Sequence, residues 1–106
     1  MPNWTDLHAL LLNHVPFGRV TTYGAVSAHF YENVRNRNQP VRAMLVGEAA
    51  HGNPDLSHRV VKDDGSLAEE RPRGGRANQH NLLAAENVTF DHLGRVNACH
   101  IVDPLP

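Results

Sequence analysis

The sequence predicts one mainly α domain with small β elements, spanning residues 1–106. Three observations carry that expectation. Leu7, Leu10 and Leu11 recur at helical spacing behind a capping signal. Two further short helical patterns are separated by a polar loop. Extended, β-branched stretches are confined to a few residues around Val60–Val61, Val88–Phe90 and Arg95–Ala98.

Asn3 is a good N-cap, and Asp6 three residues on supplies the reciprocal carboxylate of a capping box. The helix it starts runs to His14 and stops at the turn Val15-Pro16-Phe17-Gly18. Thr22 caps a second, short helix with Ala25, Val26, Ala28 and Phe30. Free amides at that N-terminus suit a phosphate, with Tyr23 beside it either as a contact or as a half-buried core aromatic. Tyr31–Gln39 reads as a loop. Pro40 opens a third helix carrying Val41, Met44, Leu45 and Ala49 to about His51, closed by Gly52-Asn53-Pro54. The two helices fit a helix-turn-helix and an ordinary helical pair equally well. His58–Val61 reads as a strand, Lys62–Gly65 as its turn and residues 66–76 as irregular. A last helix follows from about Ala77 to Glu86, then a closing hairpin or wing around Asp91-His92-Leu93-Gly94, then a tail from Ile101 to Pro106.

A formal net charge of −1 excludes an overtly basic nucleic-acid binder. Yet between Phe17 and Met44 four arginines (Arg19, Arg35, Arg37, Arg42) face Glu32 alone, a patch that suits phosphate or is simply solvated. The single cysteine, Cys99, excludes an internal disulfide, fits a reducing cytoplasm and reads as a packing residue. Eight histidines show no His-x-x-x-His spacing within a helix, and neither a metal nor a cofactor is expected. No apolar run approaches the roughly 18 residues of a membrane span, and the N-terminus shows no secretory signal.

The densest chemistry lies in Asn53-Pro54-Asp55-Leu56-Ser57-His58-Arg59-Val60-Val61. Ser57 and His58 with the distant Glu86 could form a nucleophile, base and orienter. They could equally be a strand start whose polar groups satisfy nearby backbone. Adjacent residues on an extended segment point to opposite faces, and no Gly-x-Ser-x-Gly turn is present, which both weigh against a hydrolase.

Val15-Pro16-Phe17-Gly18-Arg19-Val20-Thr21-Thr22-Tyr23-Gly24 resembles the Pro-x-Gly-x-Val-(Ser/Thr)-Tyr-Gly segment of the O6-alkylguanine-DNA alkyltransferases. Gly52-Asn53-Pro54 and Ser57-His58-Arg59-Val60-Val61 resemble their hinge and Pro-Cys-His-Arg-Val-Val motif. Gly74-Gly75 with Gln79, Leu82, Leu83 and Glu86 resembles their glycine loop and last helix, and Gly94-Arg95-Val96 the end. The resemblance spans about residues 4–97 and implies a winged helix-turn-helix domain. It implies DNA contacts from Thr22, Tyr23, Gly24, an arginine finger and the hinge Asn53. It implies a lesion pocket of Tyr23, Ser57, Val60, Arg73 and Gly74, with His58 and Glu86 at the relay positions.

Ser57 stands where the acceptor cysteine would be, and a serine hydroxyl is neither readily ionised nor a good nucleophile toward alkyl carbon. Cysteine-less relatives, the alkyltransferase-like proteins, bind O6-alkylguanine in duplex DNA, flip it and mark it for nucleotide excision repair proteins, without enzymatic repair. That function is the expectation here. The finger falls on Arg42 by spacing from Tyr23, but on Met44 by ungapped alignment from Gly52-Asn53-Pro54. The two lie about 200° apart on a helix, so only one can face outward. The alternatives are a degenerate winged helix binding DNA or protein without lesion specificity, and a Ser57/His58/Glu86 hydrolase.

Overall fold

The computed structural model describes residues 1–68 and 75–106. Helix α1 (Trp4–His14) begins with the anticipated capping box: Asn3 Oδ1 accepts the Thr5 amide at 3.0 Å, and Asp6 Oδ2 accepts the Asn3 amide at 2.8 Å. Strand β1 (Thr21–Thr22) runs directly into α2 (Tyr23–Phe30), and α3 (Asn38–His51) starts two residues before Pro40. A 3₁₀ turn (Ser57–Arg59) leads into β2 (Val60–Val61), and α4 (Gly75–Ala85) completes the helices. No helix among the described residues is long and apolar enough to cross a membrane.

The pattern-derived helix-turn-helix is present as α2 and α3 with residues 31–37 between them. Sequence reading missed a parallel pairing of β1 with β2, in which Thr21 faces Val60 and Thr22 faces Val61. That four-residue sheet sets the start of α2 beside the 3₁₀ turn. It also divides the core. Val60 joins Leu7, Leu10, Leu11, Val15, Val26, Val41, Met44, Leu45 and Leu56, while Val61 joins Val20, Leu67, Leu83, Val88 and Val96. Successive strand residues point to opposite faces, so two valines serve two clusters.

Four expectations need correction. The strand over His58–Val61 is extended only at Val60–Val61, because Ser57–Arg59 coil into a turn. The closing hairpin is reduced to one antiparallel bridge, Phe90 to Val96, around a turn held by Asp91. Residues 101–106 are no free tail. Val20 forms a parallel bridge with Ile101, Thr21 Oγ1 donates to the Val102 carbonyl at 2.8 Å, and Leu105 packs on the first cluster. Cys99, expected as a packing residue, is exposed.

Helices α1 and α3 meet at Gly47, where an added Cβ would stand 2.7 Å from Trp4 Cβ. Alanine in mid-helix normally gains about 1 kcal/mol over glycine. Here Trp4 Cβ sits at the root of its side chain and cannot swing aside, so overpacking outweighs propensity. Gly47→Ala should therefore lose about 1–3 kcal/mol, read as a lower urea midpoint with unchanged slope.

Candidate functional site

The side chains singled out in the sequence gather around the end of α4. Glu86 follows α4 in a turn and is 8% exposed. His58 Nε2 lies 2.5 Å from its Oε2, Arg59 Nε donates to Oε1 at 3.0 Å and Arg59 Nη2 to Oε2 at 3.1 Å. The Gly18 amide reaches Oε1 at 3.3 Å, and Arg59 Nη1 donates to the Val15 carbonyl at 3.1 Å. One carboxylate thus ties the turn after α1 to the Ser57–Arg59 turn. Gln79, on the buried face of α4, donates through Nε2 to the carbonyls of His58 and Val60, at 3.0 Å each.

The juxtaposition of His58 and Glu86 is as the resemblance implied. Ser57 is arranged differently from a nucleophile. Its hydroxyl donates to Asp55 Oδ1 at 2.7 Å, and its amide donates to the same oxygen at 2.9 Å. The imidazole presents Nε2 to Glu86, so in the neutral ring that nitrogen carries the hydrogen and Nδ1 the lone pair. His58 Nδ1 and Gln79 Oε1 are buried without a hydrogen-bond partner among the described residues. Buried polar atoms are rarely left so. The hydroxyl proton therefore lies with Asp55, and His58 does not stand as its base.

Around this group the start of α2 is internally satisfied. Thr22, 1% exposed, caps the helix by accepting the Ala25 amide at 3.1 Å. The Gly24 amide donates to Asp63 Oδ1 at 2.7 Å, and a Cβ on Gly24 would stand 2.8 Å from Asp63 Oδ2. Both residues were expected to face DNA; both are buried and organise the helix start, where the Gly24 and Ala25 amides are already bonded. Tyr23 is half-buried and packs against the first core cluster.

Helix α3 resolves the choice between Arg42 and Met44 by burial. Met44, 3% exposed, belongs to the core and cannot reach outward, contrary to its expected place among the DNA contacts. Arg42 is exposed on the opposite side. Of the four arginines in the basic stretch, Arg19 donates to the Cys99 carbonyl, Arg35 pairs with Asp103 and Arg37 lies over the Tyr31 ring. Arg42 alone makes no such contact among the described residues. Asn53 is exposed beyond α3. Val60 is fully buried, so its side chain serves the core and does not line an open pocket. Arg73 and Gly74, the other expected pocket residues, lie outside the described residues.

An open groove of about 400 Å³ lies elsewhere, between α2 and the C-terminal segment, lined by His29, Arg35 and Asp103 among others. It shares no residue with the Ser57, His58 and Glu86 group. No cluster of His, Cys, Asp or Glu suited to a metal occurs among the described residues. The sequence reading assigned no role to Asp55 or to Arg59. A local signal existed for both: Asp55-x-Ser57 is the spacing at which an aspartate closes on a following amide, and Arg59 flanks a buried histidine.

Burial pushes the Glu86 carboxyl up, but hydrogen bonds from Arg59 and His58 outweigh it and hold the group below the ordinary glutamate value of 4.5. A depressed folded-state value contributes stability that is complete above the unfolded value and is lost as pH falls through the folded one. Asp64 and Asp91 are lowered too, first by the Ser66 hydroxyl and by the Arg95 amide respectively. The urea midpoint should thus decline as pH drops from about 5 toward about 3. Glu86→Gln should flatten part of that decline; an identical slope in the variant would remove Glu86 from the acid-sensitive set.

The 6-O-methylguanine DNA methyltransferase DNA binding domain model matches residues 8–88, well over half of the chain. Two solved structures from S. pombe share its fold at 19% identity, each covering 95% of this chain and 94% of the other. One is Atl1 in complex with damaged DNA containing O6-carboxymethylguanine (TM-score 0.64), the other the same organism's ATL in complex with DNA (TM-score 0.66). No curated protein matches the sequence. The chain therefore belongs to the family of the 6-O-methylguanine DNA methyltransferase DNA-binding domain, in the alkyltransferase-like fold of Atl1.

Proposed function

We propose that this protein recognises O6-alkylguanine in duplex DNA by flipping the base, and marks it for nucleotide excision repair without removing the alkyl group. The observation that carries the reading is Ser57 in the acceptor place with its hydroxyl proton directed to Asp55, beside an otherwise family-like His58–Glu86 pair. Such a site holds a base but offers no thiolate to accept an alkyl group. Tyr23 at the start of α2 and the uncommitted Arg42 on α3 would open the duplex, with Asn53 at the turn beyond α3 as a further DNA contact. The DNA-bound S. pombe relatives support the same use of the fold. Nucleotide excision repair proteins would be the downstream partners, and the cytoplasm the compartment.

Extruding a base costs a few kcal/mol, least where damage has weakened its pairing, which supplies part of the selectivity. Phosphate contacts would supply affinity and make it fall with salt. One observation favours a second reading, a winged-helix-like binder without lesion preference. Asp63 already occupies the Gly24 amide and so removes an anion site.

Binding to a short duplex with one O6-methylguanine, against the guanine duplex at two salt concentrations, separates the readings. The lesion duplex should bind more tightly, with no gain in protein mass after incubation. Tyr23→Ala and Arg42→Ala should each weaken lesion binding by roughly tenfold. Equal affinities would establish the second reading, and a mass gain of one methyl group would overturn the non-enzymatic one.

A further inference from the structure

We infer that Glu48, and not Asn53, locks the segment that positions Ser57. Only the functional consequence of this lock rests on the lesion-recognition reading above. Glu48 lies near the end of α3 and is 0% exposed. Its Oε1 accepts the Leu56 amide at 2.9 Å, and its two oxygens stand 2.8 and 3.0 Å from His8 Nδ1. One carboxylate therefore joins α1 through His8, α3 through its own backbone, and the segment leading to Ser57 through Leu56. No arginine or lysine pairs with it among the described residues.

The intervening chain is fitted to this carboxylate. The Gly52 amide closes on the Glu48 carbonyl at 2.8 Å, and a Cβ on Gly52 would stand 2.6 Å from Glu48 Cδ and Oε1. Asn53, to which the resemblance assigns the hinge, is exposed and its side chain makes no hydrogen bond among the described residues. Asp55, one residue before Leu56, holds both the amide and the hydroxyl of Ser57. A displacement of residues 52–56 would therefore carry Ser57 with it. A fully buried carboxylate persists only with bonded partners, and here those partners are the elements that frame the site. Glu48 is thus a positioning residue that acts through Leu56 and Asp55.

Amide hydrogen exchange on the free protein tests the lock, and duplex binding tests its consequence. Glu48→Met removes the acceptor at similar volume without stranding a charge, and E48Q keeps an oxygen for Leu56. In E48M the Leu56 amide should exchange about tenfold faster while the Leu83 amide in α4 is unchanged. E48Q should retain most of the protection, and Asn53→Ala should leave it as in the wild type. E48M should also lower the preference for an O6-methylguanine duplex over a guanine duplex by about tenfold, with guanine-duplex affinity within about twofold. Unchanged Leu56 exchange in E48M, a larger loss in N53A, or an undiminished preference would each overturn the assignment. If the wild type itself shows no lesion preference, the functional reading fails, and Leu56 exchange alone decides whether Glu48 is the lock.

Discussion

The Glu86 carboxylate is the interaction on which the site depends. A carboxylate taken out of water is costly unless charged and hydrogen-bonding partners surround it, and removing one partner of such a set typically costs about 3–5 kcal/mol. Here the partners come from separate stretches of chain: His58 and Arg59 from the 3₁₀ turn, and the Gly18 amide from the turn after α1. Arg59 extends the bond to the Val15 carbonyl, so the end of α1 is held as well. The imidazole is thereby oriented with Nε2 inward, and the order of the site follows from satisfying one buried charge.

Glu48 repeats this logic near the end of α3. It is buried, and it is bonded to His8 of α1 and to the Leu56 amide. The two carboxylates bracket the segment 52–59 from both ends, while the β1–β2 pairing holds its exit beside the start of α2. Three local devices, two polar and one a four-residue sheet, define the placement of Ser57, His58 and Tyr23. The larger hydrophobic clusters supply the bulk of the burial, to which non-directional apolar contact is well suited. Directional bonds are reserved for the place where geometry matters.

The surface shows a matching economy of charge. Arg19, Arg35 and Arg37 are all engaged within the protein, and Asp63 and Asp103 lie against the α2–α3 region. A basic stretch in the sequence therefore leaves Arg42 as the cation not tied to an internal partner among the described residues. A near-neutral chain with one outward arginine on α3 is poorly suited to tight indiscriminate binding of phosphate.

Local chemistry was legible in the sequence because it depends on neighbours three or four residues away. The capping box at Asn3 and Asp6, the Thr22 cap, the α2–α3 pair and the ordered motifs from Val15 to Val96 could all be read without a structure. The pairing of His58 with Glu86 was one of two open alternatives from the residues alone, and the resemblance to a known family favoured it. What lay beyond reach was set by contacts distant in sequence. The parallel match of Thr21–Thr22 with Val60–Val61 has too few residues to produce an alternating pattern. Asp63 on the Gly24 amide, the return of residues 101–106 and the joining of His8 to Glu48 across 40 residues leave no periodic signature. Whether Arg42 or Met44 faces outward was likewise ambiguous in one dimension. The rotation of α3 against α1 decided it, because the helix buries its apolar stripe, and Met44 lies in it.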